Sequence, residues 1–155
     1  MKLKPIYPFL FILFVCAGVT LMPKTGDGGQ QETASDTTSL LGSKAPEIRP
    51  GTWINSCPLT LSELHGKVVL LEFWTFGCYN CKNTIPHVKA WHKKFNSDSF
   101  TIIGVHTPEF DLEKSPRRVK GEIEKLGITY AVVTDNDYKT WDAYRQQYWP
   151  TLYLI

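Results

Sequence analysis

Lys and Arg gather nowhere into a stripe in this chain of 155 residues: 17 of them stand against 15 Asp and Glu, for a net charge of +2. A nucleic-acid surface needs basic residues clustered on one face, so that class of partner is not expected. Only one Cys-x-x-Cys occurs among the four cysteines. A structural zinc site needs four ligands, and His87 and His92 follow the pair too closely, on one stretch of chain, to complete a finger. No apolar run reaches the roughly 20 residues that usually cross a bilayer. No internal repeat is visible, and residues 25–44 contain no aromatic side chain.

What is present divides the chain in three. Lys2 and Lys4 precede the apolar run FLFILFVCAGVTLM, and Lys24 follows it, so residues 1–23 read as an export signal or an N-terminal membrane anchor. No small-x-small cleavage pattern follows the run. Val15 stands before Cys16 where a lipoprotein would carry a small residue, which argues against lipidation. Residues 24–44, rich in Gly, Ser, Thr and Gln, cannot bury enough apolar surface to offset their ordering entropy and read as a flexible linker. Residues 45–155 form the globular domain, for which 43% hydrophobic and 13% aromatic content suits a packed core.

Within that domain strand and helix patterns alternate. VVLLEFW (68–74) is a continuous apolar run, expected of a strand covered on both faces. From Cys81 to Phe95 the residues Ile85, Val88, Trp91 and Phe95 recur at helical spacing and predict one core-facing stripe. FTIIGV (100–105) predicts a second buried strand. Ser115-Pro116 has the residue types of an N-cap and first helical position, Val119, Ile123 and Leu126 form the stripe behind it, and Gly127 suits the C-terminal cap. AVV (131–133), a helix over 138–146 and TLYLI (151–155) complete a parallel-rich α/β sheet.

The pair FGCYNC lies where the first of these strands turns into a helix. Unpaired backbone N–H groups and the helix dipole favour a thiolate there, and Cys81, three residues after Cys78, can reach it to close a disulfide. The first thiol would attack a substrate disulfide and the second would resolve the mixed disulfide. A purely structural bridge and a metal site are the alternatives; so short a loop restrains the unfolded chain little. Glu72, inside the apolar strand, is costly to bury unless it is paired or useful. Either it pairs with a base such as Lys67, or burial raises its pKa and makes it a proton acceptor and donor.

VVLLEFWTFGCYNCKNTIPHVKAWHKKF, and GVHTPEFDLEKSPRRVKGEIEKLGITYAVVTDNDYKTWDAYRQQYWPTLYLI after it, resemble the thioredoxin superfamily in its extracytoplasmic TlpA/ResA-like branch, and in particular the thioredoxin-like domain of DipZ-type proteins. The resemblance implies a thioredoxin-like central sheet flanked by helices, Cys78 as nucleophile, Cys81 as resolving thiol and Glu72 as the buried acid behind it. Pro86 resembles the proline that kinks the active-site helix, and Pro150 the cis-proline that faces the disulfide. Trp149 and Thr151 would flank a substrate groove, with Tyr79 and Asn80, between the cysteines, also facing substrate. Tyr79-Asn80 stands where cytosolic thioredoxin has Gly-Pro, so the redox potential does not carry over. The family's chemistry needs no cofactor beyond the redox-active disulfide, so no nucleotide, metal or haem is expected. Expected partners are protein disulfides, a membrane electron-transfer module of the DipZ/CcdA type, and the membrane itself through the N-terminal segment, in the periplasm or at the cell surface.

Other positions are expected to play smaller parts. Cys57 reads as a half-buried small residue, Trp74 and Phe76 as packing groups, and His106 and Glu109 as loop residues that tune or bind. Two rival functions stand beside the oxidoreductase: a thiol peroxidase of the redoxin class and a redox-inert module that holds unfolded or apo proteins. The peroxidase pattern Pro-x-x-x-Thr/Ser-x-x-Cys is met at Thr75 but has Leu71 in place of its proline. The resemblance further implies that TLYLI should be followed by another strand and a closing helix, so the domain is expected to be C-terminally incomplete.

Overall fold

The computed structural model describes residues 42–95 and 97–155; the segment 1–23 and most of the 24–44 linker lie outside the described residues. Five strands form one mixed sheet in the order β1-β4-β3-β2-β5. The strands are β1 (Trp53–Ile54), β2 (Val68–Trp74), β3 (Phe100–His106), β4 (Ala131–Thr134) and β5 (Thr151–Leu154). β2, β3 and β4 run parallel, while β1 and β5 pair antiparallel with β4 and β2 at the two edges. The helices are α1 (Tyr79–Phe95), α2 (Pro116–Leu126) and α3 (Lys139–Ala143), with a 3-10 helix at Asp111–Lys114.

The period-two alternation of a strand sorts β2 between two cores. Leu70 and Trp74 meet Cys81, Ile85 and Val88 of α1 and Val119 and Ile123 of α2 on one face. Val69, Leu71 and Phe73 meet Ile48, Leu64, Trp141 and Tyr144 on the other. Both faces of the central strands are covered, which is why VVLLEFW reads as an unbroken apolar run.

Several details depart from the sequence expectations. Trp91 and Phe95 are 40% and 45% exposed, so the buried stripe of α1 ends at Val88. Phe95 still meets Phe100, the first residue of β3, edge-on. α3 has five residues, not the nine expected over 138–146, because Arg145 adopts φ 52 just beyond it. Cys57 is exposed rather than half-buried. β1 and the 3-10 helix were not foreseen; β1 is only two residues long and carries no pattern of its own. Ser115 and Pro116 do open α2, and Gly127 closes it in the left-handed conformation.

Candidate active site

Three strand ends and one turn meet at a single edge of the sheet. β2 ends at Trp74, whose carbonyl accepts the Thr107 N–H, and the His106 carbonyl accepts the Asp135 N–H. β5 enters at the same level, Thr151 standing opposite Phe73. The turn Thr75–Cys78 leaves from there and delivers Cys78 to the first residue of α1.

Cys78 is half-buried and Cys81 fully buried, both as free thiols. The Cys81 N–H donates to Cys78 Sγ at 3.2 Å. The sulfur thus occupies the place of an N-cap acceptor, satisfying one of the donors that a helix N-terminus leaves unpaired. Burial, with the Cys78 hydrogen bond second, pushes the Cys81 thiol well above the usual range. Cys81 therefore needs a base before it can act.

Glu72 is the buried acid that the sequence predicts behind Cys81. It lies on the same face of β2 as Leu70 and Trp74, the face on which Cys81 packs, and it is fully buried. Burial raises its pKa to about 7, a shift that a hydrogen bond from Tyr130 partly offsets. Tyr130 Oη donates to Glu72 Oε2 at 2.9 Å, and Glu72 Oε1 has no hydrogen-bond partner among the described residues. One oxygen is fixed by the tyrosine and the other is not. Among the described residues no lysine pairs with Glu72, and the Lys67 alternative is not realised.

Tyr130 was missed from the sequence because it sits just outside β4 and reaches Glu72 across β3. Gly104 makes this reach possible. It pairs with Glu72 across the ladder, and a Cβ there would lie 2.8 Å from Trp74 Nε1 and 3.2 Å from the Tyr130 ring. A glycine in a strand signals close approach, yet nothing in the sequence says which ring approaches.

The remaining expected positions divide. The Trp149–Pro150 bond is cis, at the sheet edge from which the Cys78 turn departs. Tyr79 is 76% exposed beside the pair, and Asn80 is exposed with its carbonyl accepting the Thr84 hydroxyl at 3.1 Å. Trp149 is half-buried: its ring lies 4.2 Å from that of Trp141 and its Nε1 is buried without a partner among the described residues. The exposed aromatic here is Tyr148, whose carbonyl accepts the Thr151 hydroxyl at 3.0 Å. Pro86 lies within α1 as expected. Trp74 and Phe76 are buried and pack on His106, edge-on at 5.1 Å and stacked at 5.5 Å.

His106 is no loop residue. It ends β3 fully buried, and Nε2 accepts the Phe76 N–H at 3.4 Å. Burial lowers its pKa to about 4, against a smaller opposing pull from Glu113. Glu109 is exposed and enters only through its backbone N–H. Glu113, which no local pattern in the sequence marks, is fully buried and receives the Thr75 hydroxyl at 2.6 Å.

The model of the AhpC/TSA family matches residues 41–155. Protein DipZ of Mycobacterium tuberculosis is 42% identical over 132 residues, covering 81% of this chain and 19% of that protein. Thiol-disulfide oxidoreductase ResA of Bacillus subtilis is 34% identical over 101 residues, 65% of this chain and 54% of its own length. A solved thioredoxin-like superfamily protein superposes with a TM-score of 0.68 at 30% identity, over 72% of this chain and 78% of its own. The chain thus spans about a fifth of DipZ and about half of ResA.

Proposed function

The chain belongs to the AhpC/TSA family, in its thioredoxin-like form, and on that premise we propose that it is an extracytoplasmic thiol-disulfide oxidoreductase that reduces protein disulfides. The observation that carries this is the arrangement at the head of α1: Cys78 Sγ accepts the Cys81 N–H, with a buried carboxyl of pKa about 7 on the sheet face beneath. The Cys78 thiolate attacks one sulfur of a substrate disulfide and expels the other as a thiol. Glu72 then takes the Cys81 proton, the Cys81 thiolate attacks Cys78 Sγ, and the second substrate thiol leaves. The two electrons gained by substrate leave Cys78 and Cys81 as a disulfide, which a dithiol donor must reduce. A membrane electron-transfer module of the DipZ type would be that donor, and the apolar segment 9–22 would hold the chain on the same side of the membrane. Among the described residues no helix is long and apolar enough to cross a membrane.

The peroxidase alternative fits less well. Its proline position is Leu71, buried within β2, and the Thr75 hydroxyl is committed to Glu113 rather than free to assist Cys78. A redox-inert binding module would have no use for a buried acid beneath two thiols.

The test is disulfide exchange on a protein substrate such as insulin. Cys78→Ala should abolish turnover, and Cys81→Ala should accumulate a mixed disulfide with substrate. Turnover by Cys81→Ala equal to the parent would rule out the two-thiol route. A glutathione titration of the pair then distinguishes reductant from oxidant.

A further inference from the structure

Glu113 lies outside the proton route just described, yet its buried carboxylate is bound by three donors on one oxygen. Oε2 accepts the Thr75 hydroxyl at 2.6 Å, the Glu109 N–H at 2.6 Å and the Phe110 N–H at 3.3 Å. Three donors converge on one oxygen of this buried side chain, as suits a carboxylate oxygen that accepts hydrogen bonds. Oε1 has no hydrogen-bond partner among the described residues and points at the turn before the nucleophile. A Cβ built on Gly77 would lie 1.9 Å from it. Gly77 must therefore be glycine: the carboxylate occupies the space a side chain would take. The turn above it is held at both ends, by the Cys78 N–H to the Thr75 carbonyl at 3.3 Å and by the Phe76 N–H to His106 Nε2 at 3.4 Å.

We propose that Glu113 is a positioning residue for Cys78: it clamps the turn Thr75–Cys78 and sets a fixed negative charge one residue from the nucleophile. That charge opposes the helix N-terminus, disfavours the Cys78 thiolate and tilts the pair toward its disulfide, the direction that makes it a stronger reductant. The inference rests on Cys78 being the attacking thiol. The other titratable groups around that thiol are Cys81 and Lys82 on α1, Glu72 on β2, His106 on β3 and Tyr130 beside β4. Of all these groups Glu113 and His106 both bond the turn, and Glu113 alone sets a carboxylate against Gly77.

The experiment is alkylation of the reduced full chain by iodoacetamide, in which the Cys78 thiolate displaces iodide, followed at the Cys78 peptide by mass spectrometry at fixed neutral pH. Glu113→Gln keeps the shape and removes the charge, and Cys78 should react roughly threefold faster or more. Thr75→Ser keeps both the charge and the hydroxyl donor, and Cys78 should react at the parent rate. A rise confined to the variant that loses the charge separates a charge effect from disruption of the turn. A parent rate in Glu113→Gln, or the same rise in Thr75→Ser, overturns the proposal. Should Glu113→Gln not fold, Glu113→Asp, which draws the carboxylate back from Gly77, decides: faster supports, unchanged or slower refutes. Because alkylation needs no substrate protein, a parent that fails to turn over insulin would sink the proposed function while leaving this comparison intact.

Discussion

At the scale of single residues, the proposed chemistry concentrates on Glu72 and the tyrosine that holds it. With a pKa near 7, Glu72 is protonated and unable to accept a proton in mild acid, and becomes a base as the pH rises through neutrality. Resolution of the mixed disulfide by Cys81 should therefore accelerate through about pH 7. In Glu72→Gln it should be slower by roughly a hundredfold and lose that inflection, while the first attack by Cys78 persists; rapid-mixing kinetics with a trapped intermediate measures both steps. The Tyr130 hydroxyl pulls the Glu72 pKa down, so Tyr130→Phe should move the same inflection to higher pH. An inflection left in place would remove Tyr130 from the proton route. The cysteines, Glu72 and Pro150 were legible because each breaks a local rule: thiols at a helix start, an acid in an apolar run, a proline before a strand. Tyr130 and Glu113 break none. Their meaning comes from the strand register that sets Gly104 opposite Glu72 and from the fold of a loop over Gly77, neither of which is local.

Among the elements, legibility followed the length of the repeat. β2, β3, α1 and α2 each carry enough residues to show a period, and all lie where their patterns put them. α3 does not owe its existence to a stripe. Asp135, buried at 6% exposure, accepts the Thr140 and Trp141 N–H groups at 3.0 and 2.8 Å and so caps a helix too short to stand on propensity. Asp135→Ala should cost about 1–2 kcal/mol in chemical denaturation and should disturb Trp141, on which Trp149 stacks. A melting curve identical to the parent's would show that tertiary packing alone holds α3. The overextended stripe of α1 has a similar lesson. Trp91 and Phe95 keep the helical period where the helix is only partly covered, and a sequence pattern does not record how far that cover extends.

For the molecule as a whole, the sheet separates two kinds of interior. One face is aromatic, with Phe73 meeting the rings of Trp141, Tyr144 and Tyr153 at 6.0, 5.4 and 6.1 Å. The other holds Cys81, Glu72, Tyr130 and His106. That second face has a consequence for proton linkage. Glu72 titrates at about 7 in the fold against 4.5 ordinarily, so its contribution to stability is full below pH 4.5 and is lost as the pH rises through 7. His106 titrates at about 4 against 6.5, so its contribution is full above pH 6.5 and is lost as the pH falls through 4. Each swing is about 3 kcal/mol, and between pH 4.5 and 6.5 the two slopes oppose one another. Glu72→Gln should make unfolding easier than in the parent as acid is added across that window; His106→Gln should do so as acid is withdrawn. Denaturant midpoints measured at several pH values, as variant minus parent, would give two lines of opposite slope. The acid the chemistry needs would by itself penalise the fold at neutral pH, and the buried imidazole on the neighbouring strand acts as its counterweight, levelling stability across mildly acidic surroundings.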